Sequence, residues 1–243
     1  MLLSTRGIVL RSMKYSESSL IVDIYTEGKG LQSFIISGVR KGKSKVGPAL
    51  LQVTGLVDFV AYFNESKDLH RIKEIKSAYP YTSLLFDIRK SSVGIFMAEV
   101  CRRAIQKGEE NPALFDYIFD AFIELDRTKQ PIPNFHLCFM IGLSGFLGFS
   151  PYGSYSGNTP YFDLREGSFM SEVAMHNECL NKEDSYILAE ILGVDLHNFW
   201  EVQLPKDKRN RLVDNLIDYF KVHLDHFKEI HSHKILEEVL GAS

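Results

Sequence analysis

Residues 5–37 read TRGIVLRSMKYSESSLIVDIYTEGKGLQSFIIS, and the way this stretch pairs with itself decides the fold. Its β-branched and aromatic residues come in short runs separated by Ser, Glu and Gly. The runs predict strands at Thr5–Arg11, Ser19–Thr26 and Leu31–Ser37, with turns at Lys14–Glu17 and Glu27–Gly30. Two more runs, Leu56–Phe63 and Leu69–Ala78, flank a turn at Asn64–Lys67. Five short strands are too few for two full sheets. They suffice for a small closed barrel such as the OB-fold, which commonly binds oligonucleotides. Small barrels also serve as structural modules, so the fold alone does not assign a function.

From Ser83 onward the apolar period changes. Leu85, Ile88, Ser92, Phe96, Val100 and Ala104 mark one helical face, and Asn111-Pro112 is a helix start ahead of Phe115, Ile118, Phe119 and Phe122. Residues 134–147 are apolar on all sides and predict a central helix, and further helices are expected at 182–192 and 209–228. The stretch from Phe149 to Asn181 is rich in Gly, Ser, Tyr and Pro and reads as an irregular excursion with short β-like pieces. The expected class is therefore α+β, with a five-stranded OB-fold barrel at 1–80 and a helical domain at 81–243.

Charge follows the same division. Residues 1–80 carry 12 Lys/Arg against 7 Asp/Glu, a net of +5, while residues 81–243 carry 16 against 24, a net of −8. A basic front segment on an acidic body is the arrangement expected when one domain meets a polyanion. The densest cationic strip is SGVRKGKSKVG at 37–47, with Arg40, Lys41, Lys43 and Lys45. Its Gly-Lys-Ser at 42–44 resembles the end of a mononucleotide phosphate loop. Gly38 and Gly42 enclose three residues where such a loop needs four, and Val46-Gly47-Pro48 reads as a turn, not as the helix start such a loop requires. The strip suits a backbone of repeated phosphates better than a single nucleotide. Arg11 and Lys14 join it as cations expected at the surface. Tyr15, Tyr25, Phe34, Tyr62 and Phe63 interleave with the basic residues; bases could stack on such rings, yet in a small barrel aromatic side chains more often fill the core.

Catalytic motifs are absent: there is no G-x-S-x-G, no H-E-x-x-H and no dinucleotide fingerprint after a strand. No enzyme activity and no cofactor are expected. His223, His226, His231 and His233 cluster in sequence, but they straddle an expected helix end with no cysteine to complete a zinc set, so no metal is expected there. Cys101, Cys138 and Cys179 form no C-x-x-C pair and fit a reduced, cytoplasmic setting. The most apolar run, 137–149, is shorter than the roughly 20 residues that cross a bilayer, and residues 1–10 do not resemble a secretion signal.

The stretch TRGIVLRSMKYSESSLIVDIYTEGKGLQSFIISGVRKGKSK, followed by ALLQVTGLVDFVAY, resembles the N-terminal OB-fold of the bacterial RecO recombination-mediator family. The terminal RLVDNLIDYFKVHLDHFKEIHSHKILEEVL is similar to that family's last helices. The most specific features are the T-x-G-I-V-L opening, the Tyr-Ser-Glu turn and the Gly-x-Arg-Lys loop. The resemblance implies a non-enzymatic protein that binds single- and double-stranded DNA and anneals complementary strands. It also implies action on DNA coated by the single-stranded DNA-binding protein and, with RecR as partner, help in loading the RecA recombinase. A site for the acidic, hydrophobic tail of the single-stranded DNA-binding protein would lie in the helical half, with Arg102 and Arg103 as candidates because they are paired cations on an otherwise apolar helix.

Many family members carry two cysteine pairs that form a zinc site after a G-x-x-P turn. Gly148-Phe149-Ser150-Pro151 keeps the turn, but no cysteine follows before Cys179, so zinc is expected to be absent and the excursion to be held by aromatic packing of Tyr152, Tyr155, Tyr161 and Phe162. An RNA-binding OB-fold module and a protein-interaction scaffold are the alternatives open at this point.

Overall fold

The computed structural model describes residues 1–37 and 48–241. Residues 1–86 together with 98–126 form one compact unit, and 87–97 together with 127–243 form a second. These units do not follow the change of secondary structure at residue 80: part of the first two helices clusters with the strands.

In the first unit, five strands close a barrel in the order β1-β2-β3-β5-β4: β1 (Leu2–Lys14), β2 (Ser19–Thr26), β3 (Gly30–Ser37), β4 (Leu56–Tyr62) and β5 (Leu69–Ser77). β1 is the longest because it serves two neighbours. Its first half pairs with β4 from Leu2↔Tyr62 to Ile8↔Leu56, and its second half pairs with β2 from Gly7↔Thr26 to Lys14↔Leu20. Closure comes from a short parallel match of β3 with β5, Ser33↔Leu69 to Ile35↔Arg71. Gly7 sits where β1 has a partner on each side, and a Cβ there would collide with Ile24 and come within 2.8 Å of the Phe59 ring. The T-x-G-I-V-L opening thus needs its glycine for close approach. At Leu10 one extra residue bulges β1, and Ile8, Val9 and Leu10 are all buried. Val9, Val22, Ile24, Phe34, Val57 and Phe59 form the heart of the barrel, Phe34 meeting Phe59 edge to face at 5.0 Å.

Helix α1 (Ile88–Ala104) is shorter than the periodicity from Ser83 suggests. Residues 82–84 are held instead by one carboxylate. Asp126, at the end of α2 (Pro112–Arg127), accepts from the backbone N–H groups of Thr82, Ser83 and Leu84 at 2.7–3.0 Å and from Tyr79 Oη at 3.1 Å. Burial alone would raise the Asp126 carboxyl, but these donors outweigh it and hold it well below the usual carboxylate range. The predicted start of α2 is observed, with Asn111 Oδ1 accepting from Leu114 N at 3.0 Å as its cap.

The second unit is built on α3 (Phe135–Phe146), α4 (Lys182–Leu192), α5 (Lys206–His223) and α6 (Ser232–Gly241). α3 ends in a Schellman motif: Gly148, at φ +89, donates to Gly145 O, and Phe149 N reaches Ser144 O at 3.0 Å. α5 stops short of the predicted Lys228 because Leu224 turns extended, although Phe227 still packs on Phe220 with ring centroids 5.3 Å apart.

The excursion contains a three-stranded sheet ordered β7-β6-β8, from β6 (Tyr161–Asp163), β7 (Ser168–Met170) and β8 (Cys179–Leu180). Phe162 is buried against Phe169 and Tyr219, and Tyr155 packs on Phe169 and Tyr186. Tyr161 lies under the Lys182 ammonium at 5.4 Å. Tyr152, expected inside, is exposed and contributes its backbone N–H to Gly167 O. Aromatic packing therefore holds the excursion, but part of it comes from α4 and α5. Polar pairs complete it: His176 lies 3.2 Å from Asp163, and Arg165 lies 2.9 Å from Glu178. No described helix is long and apolar enough to cross a membrane.

Candidate nucleic-acid interface

An open groove of about 1070 Å³ runs over the barrel where β3 and β5 part beyond Arg71, and it is walled by β1, β4, β5 and the end of β3. The β5 sequence Leu69-His70-Arg71-Ile72 alternates, so His70 and Ile72 are buried and Arg71 points outward. One extra residue then enters β5 opposite the step from Val60 to Ala61, and Lys73 and Glu74 are both exposed. The groove therefore presents Arg71, Lys73 and Lys76 in a row. Lys73 lies 3.3 Å from Glu74 and Lys76 lies 3.6 Å from Asp58, exposed pairs of little strength that can exchange for phosphate contacts. Among the described residues Arg71 has no acidic partner.

A fourth cation of the groove is committed elsewhere. Arg6 forks onto Glu27 at 2.8 and 2.9 Å, reaches Asp116 at 3.0 Å, and lies over the rings of Phe115 and Phe119. Its hydrogen bond to Glu27 outweighs partial burial and raises its already high pKa.

The cations expected from sequence fare differently from one another. Lys14 is exposed beside Tyr15 at the β1–β2 turn. Arg11, expected at the surface, is half-buried and tied to Asp23, with Nε 2.7 Å and Nη2 3.2 Å from the two carboxylate oxygens. Arg102 Nε reaches the same carboxylate at 3.1 Å, and Ser33 Oγ donates to it at 2.8 Å. Asp23 is only 4% exposed; burial opposes its ionisation, yet the bonds from Arg11, Ser33 and Arg102 prevail and keep its carboxyl below the usual range. Arg102 is thus an internal counter-ion. Its neighbour Arg103 is half-buried, with Nε unbonded among the described residues. Arg40, Lys41, Lys43 and Lys45 lie outside the described residues, in the segment that follows Ser37, itself a wall of the groove.

Of the five interleaved aromatics, Tyr25, Phe34 and Phe63 are core, whereas Tyr15 and Tyr62 are 63% and 53% exposed. The β5 row is legible as charges between buried positions in HRIKEIK, but it lacks the density that makes the 37–47 strip stand out.

Zinc ligands do not assemble in the excursion. Cys179 is its one thiol, and His176 is engaged by Asp163 and Glu178. This donor set does not fit a structural zinc. The four C-terminal histidines are not gathered as a set either: His223 stacks on Phe149 and its Nε2 lies 2.8 Å from Leu164 O, whereas His233 faces Asp214 and Glu237. Cys101 and Cys138 are buried free thiols, and burial pushes Cys138 up to about 12.

A closed β1-β2-β3-β5-β4 barrel with a cation-lined groove, followed by helices, defines an OB-fold protein of the kind suited to polyanions. Comparison with known families makes the assignment specific. Residues 1–81 match the model of the recombination protein O N terminal and residues 85–232 that of the recombination protein O C terminal. The DNA repair protein RecO of Phocaeicola vulgatus is 34% identical over 99% of this chain and 100% of its own length. The RecO proteins of Bacteroides fragilis and Flavobacterium johnsoniae are 33% and 32% identical, again over nearly the whole of both chains. The chain belongs to the RecO family of DNA repair and recombination proteins.

Proposed function

We propose that the barrel is a track for the sugar–phosphate backbone of DNA, and that the chain acts without catalysis as a recombination mediator. In this reading it anneals complementary strands and acts on DNA coated by the single-stranded DNA-binding protein. With RecR it assists loading of the recombinase, in the cytoplasm at the chromosomal DNA. The observation that carries the reading is the exposed row Arg71, Lys73 and Lys76 along the groove, with Arg71 free of any acidic partner among the described residues. Arg40, Lys41, Lys43, Lys45 and Lys14 add phosphate contacts, and Tyr15 and Tyr62 offer faces on which bases stack. Arg11 takes part through its Asp23 pair, holding β1 to β2. For the tail of the single-stranded DNA-binding protein, Arg103 is the better anchor, since Arg102 is spent on Asp23. The excursion works without the family zinc, its place taken by the His176 and Arg165 ion pairs and the Phe162 cluster.

Replacing Arg71, Lys73 and Lys76 together by Ala tests this. Each cation that no longer meets a phosphate should flatten the log–log salt dependence of single-strand binding by about 0.7, so the three together should remove roughly 2 from the slope. Thermal stability should hardly move, because exposed pairs contribute little. An unchanged salt slope would remove the groove from the interface. Stronger binding of RNA than of DNA of equal length would reassign the polymer.

A further inference from the structure

We propose that α5 and α6 hold a divalent metal ion of the zinc class between Asp214, His233 and Glu237. His233 and Glu237 are four residues apart and so share one face of α6. α6 runs antiparallel to α5: Arg209, near the start of α5, donates to Leu240 O near the end of α6, and Asp214 stands one turn further along α5. This pairing brings one oxygen or nitrogen from each of the three side chains within 4.8 Å of the other two. The His233 Nδ1 is buried with no hydrogen-bond partner among the described residues, so protein groups do not fully satisfy this imidazole. Two carboxylates are also drawn together there, and the nearby ammonium of Lys221 is engaged by Asp218 at 2.9 Å.

One imidazole with two carboxylates suits zinc or a similar first-row ion better than magnesium or calcium, which prefer oxygen throughout. Three protein ligands leave at least one position for water. His233 and Glu237 lie past residue 232, where the match to the C-terminal family model ends, and far in sequence from the excursion at 149–181. The site therefore departs from the expectation of no metal in this chain, and it leaves untouched the reading of a zinc-free excursion.

The test uses the full chain stripped with a chelator. Zinc is titrated against a chromophoric competitor, and cobalt is followed by its visible absorption. One equivalent should bind, with affinity reduced at least about tenfold, the lower end of what even an outer-shell loss costs, in Asp214→Asn, His233→Ala and Glu237→Gln. Zinc should raise the melting temperature of the native chain and leave that of the variants unchanged. Asp214 is exposed, so Asp214→Asn retains the fold and carries the test if His233→Ala does not. Binding that survives all three variants, is lost in Cys179→Ser, or is displaced by millimolar magnesium would overturn the assignment.

Discussion

The barrel and the excursion at 149–181 are both small β structures, yet they are stabilised in different ways. The barrel's strands run 7–13 residues, pair on both sides and enclose their own apolar core. The excursion's strands are two or three residues long, too short to hold one another, and their central Phe162 rests on Tyr219 of α5. A self-contained sheet tolerates change at its rim and fails at its centre. A borrowed sheet fails wherever its supports are cut.

The largest effect expected from that contrast is at Gly7. Gly7→Val drives side-chain atoms into Ile24 and Phe59 and should destabilise by about 3 kcal/mol or more, read as a lowered urea midpoint. A cost below about 1 kcal/mol would show that the barrel centre yields, and would break the comparison. Next is Phe162→Ala, expected to cost about 3 kcal/mol, the low end for a buried Phe, and to expose residues 149–181 to protease while the barrel stays protected.

Asp126→Asn should cost roughly 2 kcal/mol at neutral pH, since charge-assisted bonds to Thr82, Ser83 and Leu84 become neutral ones. The native carboxyl is depressed, so its stabilisation is full above the unfolded value near 4 and is lost as pH falls below it. The gap between Asp126→Asn and the native chain should therefore narrow between pH 5 and pH 3, as followed by denaturant titration at each pH. A constant gap would mean that Asp126 works by shape alone. The smallest effect is at Tyr152: Tyr152→Ala should change stability by less than about 0.5 kcal/mol, because the exposed ring contributes little and the backbone bond to Gly167 remains.

The same contrast explains what could be read without coordinates. All five barrel strands fall within a few residues of their predicted ends, and residues 19–26 coincide, because alternation and turn residues are local signals. The helix at 182–192 is equally clear, with Asn181 accepting from Asp184 N as its cap. What escaped prediction depends on distant partners. Residues 83–84 read as helix until Asp126 claims them, and Arg11 reads as a surface cation until it and Arg102 converge on Asp23. For the interface, a cationic barrel face was legible, whereas the row at Arg71, Lys73 and Lys76 depends on a bulge that no composition announces.

The Asp126 anchor also bears on how this protein can be divided. The match to the N-terminal family model closes at residue 81, but the compact unit around the barrel continues through 98–126. A fragment cut after 81 keeps Asp23 and Arg6 and discards Arg102 and Asp116, and it leaves Tyr79 without its acceptor. Asp23 would keep Arg11 but lose its second counter-ion, and Arg6 would keep only Glu27. The smallest piece able to stand alone is therefore set by where these carboxylates find their donors, and it is longer than the sequence family boundary suggests.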